Sequence, residues 1–332
     1  MQMSLTPKEN YLRMLRGEIP EFVPSFLEPA NDMIADELLA PVFAPNGPIT
    51  TVYGVEYIGS PENGWGALPT PGKIILRDIT KWRDVIKNPD LSSRDWEAYY
   101  KKASEGKDRV NKTLSVHGGD YFLTLVSFMG FEGALISLYE EPEEVKALLE
   151  YVSEFYLEVM KNQIKYLKPD IYSIMDDDAA LKSPFFSPEM YREFFKPMHK
   201  KHTDLALDNG MMIERHDCGR CEDFIDDWIE LGIRGWNPAQ VVNNLPAIKK
   251  KYAGKLALSG CWDNQGILGS VEVPDEVLRE AIEKYVATFA PGGGFVYMPM
   301  VGGKPDDPRV QHKMGIIKDY YYSNVRDYYK TH

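Results

Sequence analysis

The run MMIERHDCG, residues 211–219, ends with an imidazole and a thiol two positions apart, His216 and Cys218. In an extended strand residues i and i+2 face the same side, so these two point together while Asp217 points away. Imidazole nitrogen and thiolate sulfur are good zinc ligands, and a catalytic zinc takes three protein ligands and keeps a fourth position open. Two further cysteines can complete such a set: Cys261, which ends the run LALSGC, and Cys221, which makes a Cys-x-x-Cys pair with Cys218. The same pair could act as base and nucleophile, and a free cysteine is often only a small buried hydrophobe. Side by side on one strand, the two groups suit a shared metal.

Carboxylates and polar groups stand at the ends of other apolar runs. Met175 is followed by Asp176, Asp177 and Asp178, which could act as general acid or base, ligate a metal or cap the next helix. Asp176 and Asp178 share a face and are the favoured pair of catalytic candidates. His117, in SVHGGDY, is a third catalytic candidate, with glycines after it that let a substrate approach closely. Glu28, Asn237 and Gln240 in GWNPAQ, and Tyr297 in FVYMPM are candidates for binding the substrate.

These groups meet only if the strand ends that carry them converge, as they do at the C-terminal face of a parallel barrel. Thr6-Pro7-Lys8-Glu9 reads as the capped start of a helix running to Arg16. A strand is expected at Phe22 to Leu27, and residues 40–75, rich in Pro, Gly and aromatics, read as an excursion of short strands and turns. Apolar runs follow at Thr113 to Val116, Phe122 to Phe128, Ile171 to Met175, Met211 to His216, Ile233 to Trp236, Leu256 to Cys261 and Gly294 to Met300. Between most of them lie amphipathic segments, at residues 141–167, Pro188 to Leu207, Cys221 to Leu231 and Asp275 to Phe289. Strand–helix alternation implies a parallel sheet, and about eight strands make a (β/α)8 TIM barrel of one domain over residues 1–332. No glycine-rich fingerprint follows the first strand, which disfavours an open nucleotide-binding sheet. Alternate strands of a barrel share layers, so Cys261 is expected in a layer with His216 or Cys218.

The net charge of −12 argues against nucleic acid as a partner. The chain has no apolar run of about 18 residues, so no membrane span is expected. An odd cysteine count of 3 and a charged opening, MQMSLTPKENYLRML, fit a reducing cytoplasm. The tail KDYYYSNVRDYYKTH reads as a final helix on the outside.

Taken in order, PKENYLRMLRGE, YEEPEEVKALLE, FFSPEMYREFFKPMHKKHTDLALDNG, HDCG, LGIRGWNPAQ and the GCWD turn resemble the uroporphyrinogen decarboxylase-like superfamily, over nearly the whole chain. The resemblance implies the barrel and one of two chemistries. The decarboxylases carry an arginine-rich MRQAGRY-like signature after the first strand. Here that place reads SFLEPANDMI, with Glu28, Asp32 and no arginine, which would repel an anionic porphyrinogen. The zinc-dependent methyltransferases are similar in having His-x-Cys followed by a later cysteine, matched by His216, Cys218 and loosely Cys261. In the coenzyme M enzymes that last cysteine lies nearer the chain end, where this sequence has MPMVGG, so the third ligand stays open between Cys261, Cys221 and a carboxylate.

This branch implies a cytoplasmic methyltransferase, independent of S-adenosylmethionine and possessing a zinc ion. It would move a methyl group between a small substrate, such as an aryl methyl ether or methylated amine, and a corrinoid carried by a partner protein; a homodimer is also implied. The alternatives are a metal-independent decarboxylase or lyase using Asp176 to Asp178, and a non-catalytic barrel that binds a small molecule.

Overall fold

The computed structural model describes residues 5–61 and 64–332. Its strands are β1 (Asn31–Ile34), β2 (Ile49–Thr50), β3 (Glu56–Ile58), β4 (Leu68–Pro69), β5 (Thr113–Gly118), β6 (Ile171–Met175), β7 (Met212–His216), β8 (Ile233–Ala239), β9 (Ala257–Gly260) and β10 (Phe295–Tyr297). Seven of them form one sheet in the order β1-β5-β6-β7-β8-β9-β10, every pair parallel. The sheet curls into the expected barrel. At its seam, Tyr297 N–H donates to Pro24 O at 2.8 Å and Phe26 N–H donates to Tyr297 O at 3.2 Å. Residues 24–26 therefore lie beside β10 while Asn31–Ile34 lies beside β5, so one short stretch of chain supplies both edges.

Two expectations need correction. The strand expected at Phe22 to Leu27 contracts to isolated bridges at Ser25, one of them parallel to Tyr297, and its place in the ladder goes to β1. Phe122 to Phe128 is no strand at all: it lies inside the helix Tyr121–Glu140. A continuous apolar run has no period that separates a buried strand from a buried helix. Here a side chain on the neighbouring strand end decides, because Asp176 accepts the N–H groups of Phe122 at 3.0 Å and Leu123 at 2.9 Å. Those are donors that a helix start leaves unpaired. Among the described residues, only this helix is long and apolar enough to cross a membrane, and over half of it is buried in the molecule.

The remaining elements follow their sequence signals. Thr6 and Glu9 form a reciprocal capping box, and the helix Pro7–Leu15 follows. Its Met14 and Leu15 pack on Ile171, Ala257 and Val296, which plugs the N-terminal end of the barrel. The amphipathic helices Pro142–Leu167 and Asp275–Phe289 form where expected. In the 40–75 excursion, β2, β3 and β4 make an antiparallel sheet. It is tied down by Tyr53, whose ring stands edge-on to Phe128 at 5.2 Å and Phe155 at 5.6 Å.

Register sets which side chains enter the barrel. Ser173 lies opposite His117 and Glu214, Glu214 opposite Gly235, and Met175 opposite His216, itself opposite Asn237. These share the inward face with Ile171. Arg215 points outward and is fully buried between the sheet and the rings of Trp228 and Tyr191, 4.9 Å and 5.9 Å away.

Candidate active site at the strand ends

Strands β6 and β7 end level with each other, so the next inward positions after Met175 and His216 fall side by side. Those positions hold Asp177 and Cys218, and Asp177 Oδ1 accepts the Cys218 N–H at 2.8 Å. One carboxylate oxygen of Asp177, one ring nitrogen of His216 and the sulfur of Cys218 all lie within 4.8 Å of one another, each residue half-buried. His216 Nε2 is 3.8 Å from Cys218 Sγ. On the other side of the ring, Nδ1 is 2.9 Å from Asn237 Oδ1. A side-chain carbonyl only accepts, so Nδ1 carries the proton and the Nε2 lone pair is free toward the sulfur and the carboxylate.

The loop behind this trio is held tightly. Gly219 has φ of 87°, and a Cβ there would stand 2.4 Å from Ala179 O, so both conformation and space require glycine. Its N–H donates to Gln240 Oε1 at 2.8 Å, and its carbonyl accepts from Asn243 Nδ2 at 2.9 Å. Burial, and then the nearby Asp177 and Asp217 carboxylates, push the Cys218 thiol up to about 12. A thiol so placed is a poor nucleophile by itself, and a cation beside it would offset both effects.

A family model described as uroporphyrinogen decarboxylase (URO-D) matches residues 84–309, more than half of the chain. The chain belongs to the uroporphyrinogen decarboxylase family. Among curated proteins none matches the sequence. Among solved structures, the chain is similar to a methyltransferase from Methanosarcina mazei with a TM-score of 0.64 and 14% identity, over 96% of this chain and 100% of that one. At that identity the likeness is one of fold.

In this member of the uroporphyrinogen decarboxylase family the other candidate residues are dispersed. Asp176 and Asp178 do share a face, but it is the outward one. Asp176 caps the helix Tyr121–Glu140 and lies 3.3 Å from His199 Nε2. Asp178 pairs with Arg215, which also bonds Asp217 through Nε at 2.9 Å. Burial raises both of these carboxyls and Arg215 opposes it. His117 faces inward, buried, with Nδ1 3.3 Å from Ile34 O and no partner for Nε2 among the described residues. Burial lowers its affinity for a proton.

Cys221 and Cys261 are not brought to His216 and Cys218. Cys221 Sγ donates toward Asp217 Oδ1 at 3.1 Å and Cys218 O at 3.0 Å. Cys261 has φ of 57° just after Gly260 at 112°, and these two left-handed residues break the alternation that would have carried it inward. It is buried in the main hydrophobic core and is not part of the group formed by Asp177, His216 and Cys218. Asn237 holds His216, and Gln240 holds Gly219. Tyr297 points outward and donates to Ile317 O at 3.0 Å. Glu28 pairs with Arg326 at 3.1 Å, and Asp32 with Lys112 at 3.1 Å. Asp177 was the residue passed over: aligning the ends of the two runs would have found it, whereas choosing a common face within the acidic triplet selects its neighbours.

Proposed function

We propose that this chain is a methyltransferase that moves a methyl group between a small methylated substrate and a corrinoid carried by a partner protein. The observation that carries the reading is the convergence of Asp177, His216 and Cys218 at the open end of the barrel, with the Nε2 lone pair of His216 turned toward the Cys218 sulfur. Oxygen, nitrogen and sulfur donors of this kind fit zinc, and three of them leave a fourth position for substrate. Zinc bound there would supply electrophilic activation of the atom that bears the methyl group. Asn237 fixes the imidazole tautomer, and Gly219 and Gln240 hold the loop that aims Cys218. The name of the Methanosarcina mazei neighbour supports a methyltransferase. Of the Asp176 to Asp178 cluster on which the metal-free alternative relied, Asp176 and Asp178 are engaged on the outward face by the helix start and by Arg215, and only Asp177 faces the site.

The test is metal analysis of protein purified without chelators, wild type beside His216→Ala. The expected result is about one zinc per wild-type chain and almost none in the variant. Wild-type protein free of metal would sink the reading.

A further inference from the structure

The strand ends place one cysteine sulfur beside His216 and leave a third donor to be found among Cys221, Cys261 and a carboxylate. Neither Cys221, bonded to Asp217, nor Cys261, left-handed after Gly260, joins His216 and Cys218, and Asp177 stands beside Cys218 in the remaining position, held by the N–H of Cys218 at 2.8 Å. Building on the metal-dependent methyl transfer proposed above, we infer that Asp177 is the third ligand and that its oxygen, in place of a second sulfur, fits the site for releasing a methyl group from an ether oxygen or amine nitrogen rather than for arming a thiol that accepts one.

Donor strength separates the two directions of transfer. Thiolate is a soft ligand that gives up electron density readily, whereas carboxylate is hard and gives up less. Imidazole with one carboxylate and one thiolate brings the same total charge as imidazole with two thiolates. It leaves a dication at that place a stronger acceptor of electron pairs. Strong acceptance helps a departing oxygen or nitrogen, which keeps both electrons of its bond to the methyl carbon and then takes a proton from solvent. The methyl carbon forms its new bond with an electron pair of the reduced corrinoid, whose cobalt is formally oxidised by two electrons as it is methylated. A thiol acceptor has the opposite need, because its attack depends on density remaining on sulfur.

The full chain loaded with Co2+ alone tests this without reference to turnover, since the sulfur-to-cobalt charge-transfer absorbance counts thiolates. Wild type is expected to show one thiolate. Asp177→Cys should give about twice the wild-type intensity, and Cys218→Ser should abolish it. Asp177→Asn, which keeps an acceptor for the Cys218 N–H, should bind cobalt at least about tenfold more weakly. Ethanethiol is then added and its ionisation at the metal followed against pH by the extra absorbance. The midpoint should lie about one unit lower in wild type than in Asp177→Cys, a tenfold difference in ionisation constant. A two-thiolate wild-type spectrum, a band that survives in Cys218→Ser, undiminished affinity in Asp177→Asn, or equal midpoints would each overturn the inference and leave the metal reading standing. Should Asp177→Cys fail to fold, the Asp177→Asn affinity decides. Wild-type protein that binds no cobalt would overturn the metal reading itself.

Discussion

The hydrogen bond between His216 and Asn237 is where the metal reading is most exposed to refutation. In Asn237→Ala, the Nδ1–H of His216 loses its acceptor at 2.9 Å, and nothing then favours the tautomer that leaves Nε2 free. A neutral hydrogen bond of this kind contributes about 0.5–1.5 kcal/mol net. The upper end of that range is about tenfold in an equilibrium constant, which meets the low end of the roughly 10–100-fold seen when a partner behind a metal-bound histidine is removed. We therefore expect metal affinity to fall about tenfold. Asn237→Asp, which keeps the acceptor and adds charge, should match or exceed wild type. The assay is competition for zinc against a chelator of known affinity, with circular dichroism confirming that each variant is folded. If Asn237→Ala binds metal within about twofold of wild type, the hydrogen bond does not set the tautomer and the argument from a free Nε2 fails.

Three further outcomes follow from the same geometry. Arg215→Met strips two buried carboxylates, Asp178 and Asp217, of the one cation that pairs with them among the described residues and should cost about 3–5 kcal/mol of stability by urea unfolding; a loss below about 1 kcal/mol would show that the charges relax at little cost. Adjacent aspartates should separate cleanly: Asp176→Ala removes a helix cap and should cost about 1–2 kcal/mol with metal content unchanged, whereas Asp177→Ala should lose metal with little change in stability, and variants that behave alike would refute the assignment of faces. Burial, with the nearby Asp176 carboxylate adding to it, pushes Asp120 up to about 7. Its folded form keeps a proton that the unfolded chain has released, so this group lowers stability as pH climbs from about 4 to about 7 and adds no further slope above that. Asp120→Asn should therefore gain on wild type across that window, as read by urea midpoints at both ends, and a difference independent of pH would refute it.

What the sequence made legible was whatever depended on local pattern. The strand Ile171–Met175, the amphipathic helix Asp275–Phe289 and the capping box at Thr6 are short-range signals, and the structure repeats them. The inward pairing of His216 with Cys218 needed only the two-residue period of a strand. The misses each turned on something beyond the local pattern. Phe122 is helical because a carboxylate on another strand accepts its N–H. Asn31–Ile34 became a strand because it pairs with β5 at the edge of the sheet, with only one buried residue of its own to signal it. Asp177 outranks Asp176 and Asp178 through the register between two strands, and Cys261 stays out of the group because of backbone dihedrals that no spacing rule reports.

Strand β7 carries chemistry on one side and anchorage on the other. Glu214 and His216, then Cys218, look into the barrel, while Arg215 and then Asp217 clamp the sheet to its helices. Adding or deleting a single residue ahead of His216 would exchange the two faces at once, sending the donors into the helical layer and the guanidinium into the mouth. This stretch can therefore be retuned only by substitution at constant length. Its inward positions are open to change one at a time, and the clamp beneath them stays where it is while the chemistry above is rewritten.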